Sequence, residues 1–167
     1  MLSESSIYIL RHATPDRIDV PNRERPLSET GHQQAQDIVP FLSGLGIASI
    51  HVSPFLRTRS TMQPFADAAG LPIQEREDLR ESLDKEPIAE VSERLLGAIR
   101  KILVTHPSEN LLICTHGGCT WGVIYHFDSS FDYDDYRTIR TPDMFRFFCR
   151  DGQLSLDTEF RFDPGAA

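Results

Sequence analysis

From Ile7 to Phe127, strand-like and helix-like segments alternate, and that alternation confines the chain to an α/β fold with a mostly parallel sheet. Ile7-Tyr8-Ile9-Leu10 reads as a buried first strand. The stretch from Ala13 to Leu27 carries Pro15, Pro21 and Pro26 and is a long loop, which hints at function. Ser28 or Thr30 opens a helix with apolar positions from Ala35 to Leu45, interrupted by Pro40 and closed by Gly44 and Gly46. Ile47 to Val52 is a second strand. A helix from Phe55 to about Ala69 follows, with Ser53 as its cap and Pro54 in its first turn. Leu71 to Gln74 is a short strand, and Glu75 to Glu86 is charged and irregular. Pro87 starts a helix running to Leu103, Leu111 to Cys114 is a strand, and Cys119 to Phe127 is a short apolar helix. Asp128 to Asp135 reads as an acidic, aromatic loop. Asp151-Gly152 between Met144–Arg150 and Leu154–Phe162 marks a hairpin. The expected architecture is a three-layer α/β/α sandwich with a mostly parallel central sheet and a C-terminal antiparallel hairpin.

With 167 residues the chain suits one domain spanning 1–167, and 40% hydrophobic residues supply a core. A formal charge of −8 argues against nonspecific nucleic-acid or membrane-surface binding, though a local arginine cluster can still hold a small anion. No run approaches the roughly 20 apolar residues of a membrane span. The start has neither a basic segment nor a long apolar stretch, so no signal peptide is expected. Cys114, Cys119 and Cys149 form no pairing or metal-binding pattern, which points to a reducing, cytoplasmic setting.

Three strand-to-loop junctions concentrate chemistry. The first releases Arg11 and His12, the second Arg57 in the first turn of a helix, and the third His116 before Gly117 and Gly118. Parallel strands place all three at one sheet edge, where α/β folds bind ligands. Two guanidiniums and helix N-terminal amides make a phosphate pocket, and the glycines let backbone approach the ligand. An unprotonated imidazole there can attack phosphorus, while a carboxylic acid protonates the departing oxygen. His32, His51, His106 and His126 lack that context and read as structural or surface residues. Arg17, Arg23, Arg25 and Arg80 read as surface charges in loops, of which one or two could widen the anion site, and Arg59 reads as a solvated helix face. Trp121 and the Phe145, Phe147, Phe148 group read as core packing.

Leu10-Arg11-His12-Ala13 resembles the Arg-His-Gly motif of the histidine phosphatase superfamily, with its phosphoglycerate-mutase-like fold. Pro26-Leu27-Ser28-Glu29-Thr30-Gly31 is similar to that family's Pro-Leu-Thr-x-x-Gly. Ser53 to Thr61 resembles its Ser-x-x-x-Arg-Ala-x-x-Thr, and Thr115-His116-Gly117-Gly118 its second histidine motif. The resemblance implies that His12 becomes phosphorylated and that Arg11, Arg57, His116 and Gly117 bind the phosphate. It implies no metal and no cofactor. The second motif ends in Gly, as in the mutase and small-phosphatase branch. Pro15 and Ile18 replace the family's Thr and Asn after the first histidine. Leu79-Arg80-Glu81 fits the family's Leu-x-Glu, so Glu81 is the candidate general acid, with Asp84 and Glu86 as competitors. The length and the Ser53–Arg57 run are also similar to compact phosphohistidine phosphatases, which can dispense with the acid. The expected function is a metal-independent phosphatase acting on a phosphorylated small molecule or phosphoprotein. The alternatives are a phosphoglycerate-type mutase, a non-catalytic phosphate-binding module on the same fold, and a metal hydrolase using His12 and His116.

Overall fold

The computed structural model describes residues 4–166. Its sheet contains β1 (Glu4–Arg11), β2 (Ile47–Val52), β3 (Ile73–Glu75), β4 (Asn110–Thr115), β5 (Asp143–Arg150) and β6 (Gln153–Leu156), in the order β3-β2-β4-β1-β5-β6. β1 to β4 run parallel to one another. β5 pairs antiparallel with β1, and β6 antiparallel with β5. The α/β class, the mostly parallel sheet and the terminal hairpin all match expectation.

Because successive strand side chains point to opposite faces, each central strand feeds two cores. Ile7 and Ile9 of β1 join Leu111 and Ile113 of β4 under α4 (Ile88–Thr105) and α5 (Gly117–Phe127). Tyr8, Leu10, Leu112 and Cys114 face the other way. There they meet Leu42 of α2 (Val39–Ser43) and Met62 and Phe65 of α3 (Leu56–Ala69). α1 (Glu29–Asp37) is capped by Ser28, whose side chain accepts from Gly31 N, and breaks from α2 at Ile38. Pro40 falls in the first turn of α2, where a missing N–H costs no helical bond.

The differences from expectation have local causes. α3 begins at Leu56 with Phe55 in the N-cap position, and Pro54 lies outside it. Ser53 does not cap this helix, because its hydroxyl is engaged with His116. α3 runs through Pro64, an interruption the sequence reading passed over, because Met62, Phe65 and Ala66 are buried there. α5 begins at Gly117, two residues earlier than expected, so Gly117 and Gly118 form its first turn. Inside the supposed acidic loop lies α6 (Tyr133–Tyr136), nucleated by a capping box between Asp132 and Asp135. β6 stops at Leu156, well short of Phe162, because Asp157 turns aside to pair with Arg146. The hairpin turn has φ of 50° at Asp151 and 77° at Gly152, the left-handed pair that a two-residue turn requires.

Two segments carry site residues without belonging to the sheet. Residues 12–28 fold back so that Asp16 N donates to Pro26 O and Ser28 N to Thr14 O. Gly31 allows this approach, since a Cβ there would lie 2.0 Å from Thr14 O. The charged stretch after β3 is fixed to α4 by Arg94, whose Nη1 donates to the carbonyls of Asp78 (3.2 Å) and Arg80 (2.9 Å). Among the described residues, no helix is long and apolar enough to cross a membrane.

Candidate active site

The carboxyl ends of β1, β2 and β4 converge, and each delivers what the sequence located there. His12 N donates to Thr115 O (3.1 Å) and Ser53 N to Cys114 O (3.0 Å), so the three strand ends are stitched together. The His12 and His116 rings are both buried, with centroids 5.3 Å apart.

Arg57 sits between them and is 3% exposed. Its Nε donates to His12 Nε2 (3.2 Å), and its Nη2 lies 3.3 Å from His116 Nδ1 and donates to Glu81 Oε2 (2.9 Å). Its Nη1 donates to Asn22 O (2.7 Å), and its guanidinium lies 5.0 Å from the Phe55 ring centroid. A guanidinium donates only, so these contacts fix the tautomers. His12 Nε2 must be an acceptor, and His12 Nδ1 carries the proton it donates to Ala13 O (2.7 Å). His116 Nδ1 likewise accepts, leaving Nε2–H to donate to Ser53 Oγ (2.8 Å).

Burial lowers the His12 pKa to about 3, with Arg57 and Arg11 adding to the effect against the Ala13 hydrogen bond. Burial also holds His116 well below the ordinary imidazole range, helped by His12, Arg57 and Arg11. Both rings are therefore neutral at pH 7, and His12 exposes a lone pair on Nε2 within a cationic pocket. For Arg57 itself, burial lowers the pKa and the Glu81 carboxylate opposes that change.

Arg11 donates through Nη1 to Ile139 O (2.5 Å), and its Nε has no partner. Its guanidinium packs on the first turn of α5. A Cβ on Gly117 would sit 2.8 Å from Arg11 Cζ, so glycine is required for this approach. A guanidinium with a buried, free Nε donor, lying against a helix N-terminus, suits an oxyanion.

The three acid candidates separate clearly. Glu81 stands at the pocket, one-third exposed, accepting from Arg57 Nη2 and Asn22 Nδ2 (2.6 Å) and 4.0 Å from His116 Nδ1. Glu86 is instead an anchor, taking Arg94 Nε on Oε1 (3.1 Å) and Leu83 N on Oε2 (2.8 Å). Asp84 is exposed and makes no contact with these residues. Ser53 and Asn22 were not foreseen as site residues. Arg25, read as a surface charge, is half-buried, has an Nε without a partner, and acts electrostatically on Arg57. Among the described residues, no group of three or more His, Cys, Asp or Glu side chains is arranged to hold a metal ion.

Comparison with known proteins gives a consistent picture. A family model for the histidine phosphatase superfamily (branch 1) matches residues 7–85 and 82–144. A curated relative is the uncharacterized phosphatase PhoE of Bacillus subtilis (strain 168), 25% identical over 114 residues. That match covers 55% of this chain, and the chain spans 59% of the relative's length. Among solved structures, YhfR of Bacillus stearothermophilus superposes with a TM-score of 0.78 at 20% identity, over 96% of this chain and 98% of the other. A phosphoserine phosphatase from Entamoeba histolytica, in complex with 3-phosphoglyceric acid, gives 0.75 at 16% identity, over 95% and 98%. A phosphoglycerate mutase from Bacillus anthracis str. Sterne gives 0.76 at 18% identity, over 93% and 92%. At these identities the superpositions establish a shared fold.

Proposed function

The chain belongs to the histidine phosphatase superfamily, branch 1, and on that premise we propose that it is a metal-independent phosphatase, hydrolysing phosphomonoesters or a phosphorylated histidine through a covalent phosphohistidine at His12. The observation that carries the reading is the His12 imidazole. Its Nδ1 proton is committed to Ala13 O, and its Nε2 lone pair faces the Arg57 guanidinium.

The substrate phosphate lies between Arg57 and Arg11, which compensate its charge during transfer. His12 Nε2 attacks phosphorus, and the bond from phosphorus to the leaving oxygen breaks. The incoming dianion competes with Glu81 for Arg57. Freed from that contact, Glu81 is the group that gives its proton to the leaving oxygen. In the second half-reaction a water gives its proton to Glu81 and attacks phosphorus, the bond to Nε2 breaks, and inorganic phosphate departs. His116 donates to a phosphoryl oxygen from Nδ1. Ser53 makes this possible without adding a cation: once the phosphate replaces the Arg57 contact, Nδ1 takes a proton from water, Nε2 releases its own through the Ser53 hydroxyl, and that hydroxyl then donates to Nε2.

The Glu81 side chain is 33% exposed, so water reaches the acid directly. That favours hydrolysis over return of the phosphoryl group to a second hydroxyl, which needs a water-poor site. The curated relative from Bacillus subtilis carries the name of a phosphatase, which supports the same choice. We take the substrate to be a phosphorylated small molecule or phosphoprotein. Steady-state release of phosphate from a panel of monoesters tests this reading. His12→Ala should lose about 1,000-fold or more in kcat, and a mutant as active as the natural protein contradicts it.

A further inference from the structure

A cleft of about 370 Å³, the size of a small-molecule site, lies beside the phosphate pocket. We infer that it is a leaving-group subsite for flat, apolar groups, so that the favoured substrate is the phosphomonoester of an aromatic or similarly apolar alcohol. This inference rests on the phosphatase reading and adds the substrate class to it.

Position comes first. An in-line displacement by His12 Nε2 sends the leaving oxygen to the opposite side, where Glu81 protonates it. Ser82, the next residue, forms one wall of the cleft, and Gly118, two residues beyond His116, forms another. The two walls touch: a Cβ on Gly118 would lie 2.8 Å from Ser82 Oγ. A group attached to the departing oxygen therefore meets this cleft directly.

The lining sets the chemistry. Trp121, Tyr136, Ile88 and Val91 supply most of it. The Trp121 and Tyr136 rings are stacked, with centroids 5.2 Å apart and planes at 27°. Tyr133, 60% exposed, continues the aromatic wall outward, 5.9 Å from Trp121. Trp121 Nε1 is committed to Phe131 O (3.0 Å), so the indole offers the cleft no donor. Glu86 reaches the cleft but is neutralised by Arg94 and Arg80. Ser82 Oγ, beside the acid, and the Tyr136 hydroxyl are the small polar handles of the lining. The charged groups of serine or glycerate would find no free counter-charge in it, whereas a flat ring would cover the aromatic wall.

The test compares ethyl phosphate and 2-phenylethyl phosphate, whose leaving alcohols are similar in basicity, with phosphoserine. The natural protein should show a kcat/KM for 2-phenylethyl phosphate roughly tenfold or more above that for ethyl phosphate. Phosphoserine should be no better than ethyl phosphate. Trp121→Ala should cut the ratio of the first two several-fold. Tyr136→Ala, also at a half-buried position, should do the same and serves if the tryptophan variant does not fold. A ratio near one in the natural protein, a preference for phosphoserine, or a ratio unchanged in the folded variants overturns the subsite while leaving the phosphatase reading standing. Hydrolysis of none of the three esters overturns the subsite, and failure on the wider monoester panel and on a phosphohistidine protein as well overturns both.

Discussion

Ser53 illustrates how a residue acquires a role that its neighbours in sequence do not announce. Before a proline and a helix it reads as a cap, yet its hydroxyl meets His116 Nε2 from 63 positions away. If that hydroxyl sets the His116 tautomer, Ser53→Ala should lower kcat/KM by about tenfold at neutral pH. Ser53→Thr, which keeps the hydroxyl, should restore the natural rate. An equal loss in both variants would contradict the role. Arg11, His12, Arg57 and His116 were legible because each follows a strand end within a few residues. Glu81 was legible only as one of three carboxylates. What separates it from Glu86 is Arg94, a partner on a distant helix.

At the scale of elements, α4 does more than cover the sheet. Leu95, Ile99 and Ile102 bury its apolar face, while Arg94 reaches back to hold the irregular stretch that presents Glu81. Arg94→Met keeps the aliphatic stem and removes those bonds. The fold should survive, while kcat on an alkyl phosphate falls by up to about 100-fold as the acid loses its position. The loss on p-nitrophenyl phosphate, whose leaving group needs little protonation, should be much smaller. Equal losses on both esters would count against a positioning role. Most elements were readable from periodicity because their apolar residues face a single core. α6 was not, since its stability comes from an Asp132–Asp135 capping box within an acidic stretch. The early start of α5 was also hidden, because two glycines ordinarily signal a turn. Here the first of them admits the Arg11 guanidinium.

At the scale of the molecule, the alternation of strands and helices made the α/β class legible, but not the order β3-β2-β4-β1-β5-β6, which depends on which faces pack together. The same packing buries three histidines in the neutral form. Burial lowers His12 to about 3 and, with Arg76 adding to it, His51 to about 4, while His116 is held well below 6.5. An unfolded chain takes up these protons near pH 6.5 and the folded one does not, so stability is full above that pH and is lost as pH falls below it. Each histidine contributes a slope approaching about 1.4 kcal/mol per pH unit in that range. The urea midpoint should therefore drop markedly between about pH 7 and pH 5, and His51→Gln should flatten the decline. A constant midpoint across that interval would show that the rings are not buried neutral.

The covalent step is tested most directly by rapid mixing with a radiolabelled phosphomonoester, quenching in alkali and mapping the labelled peptide. Label that survives alkali, is released by acid and resides on His12 is the expected result. Rapid turnover with no protein-bound label at any mixing time, or label on another residue, would contradict the account.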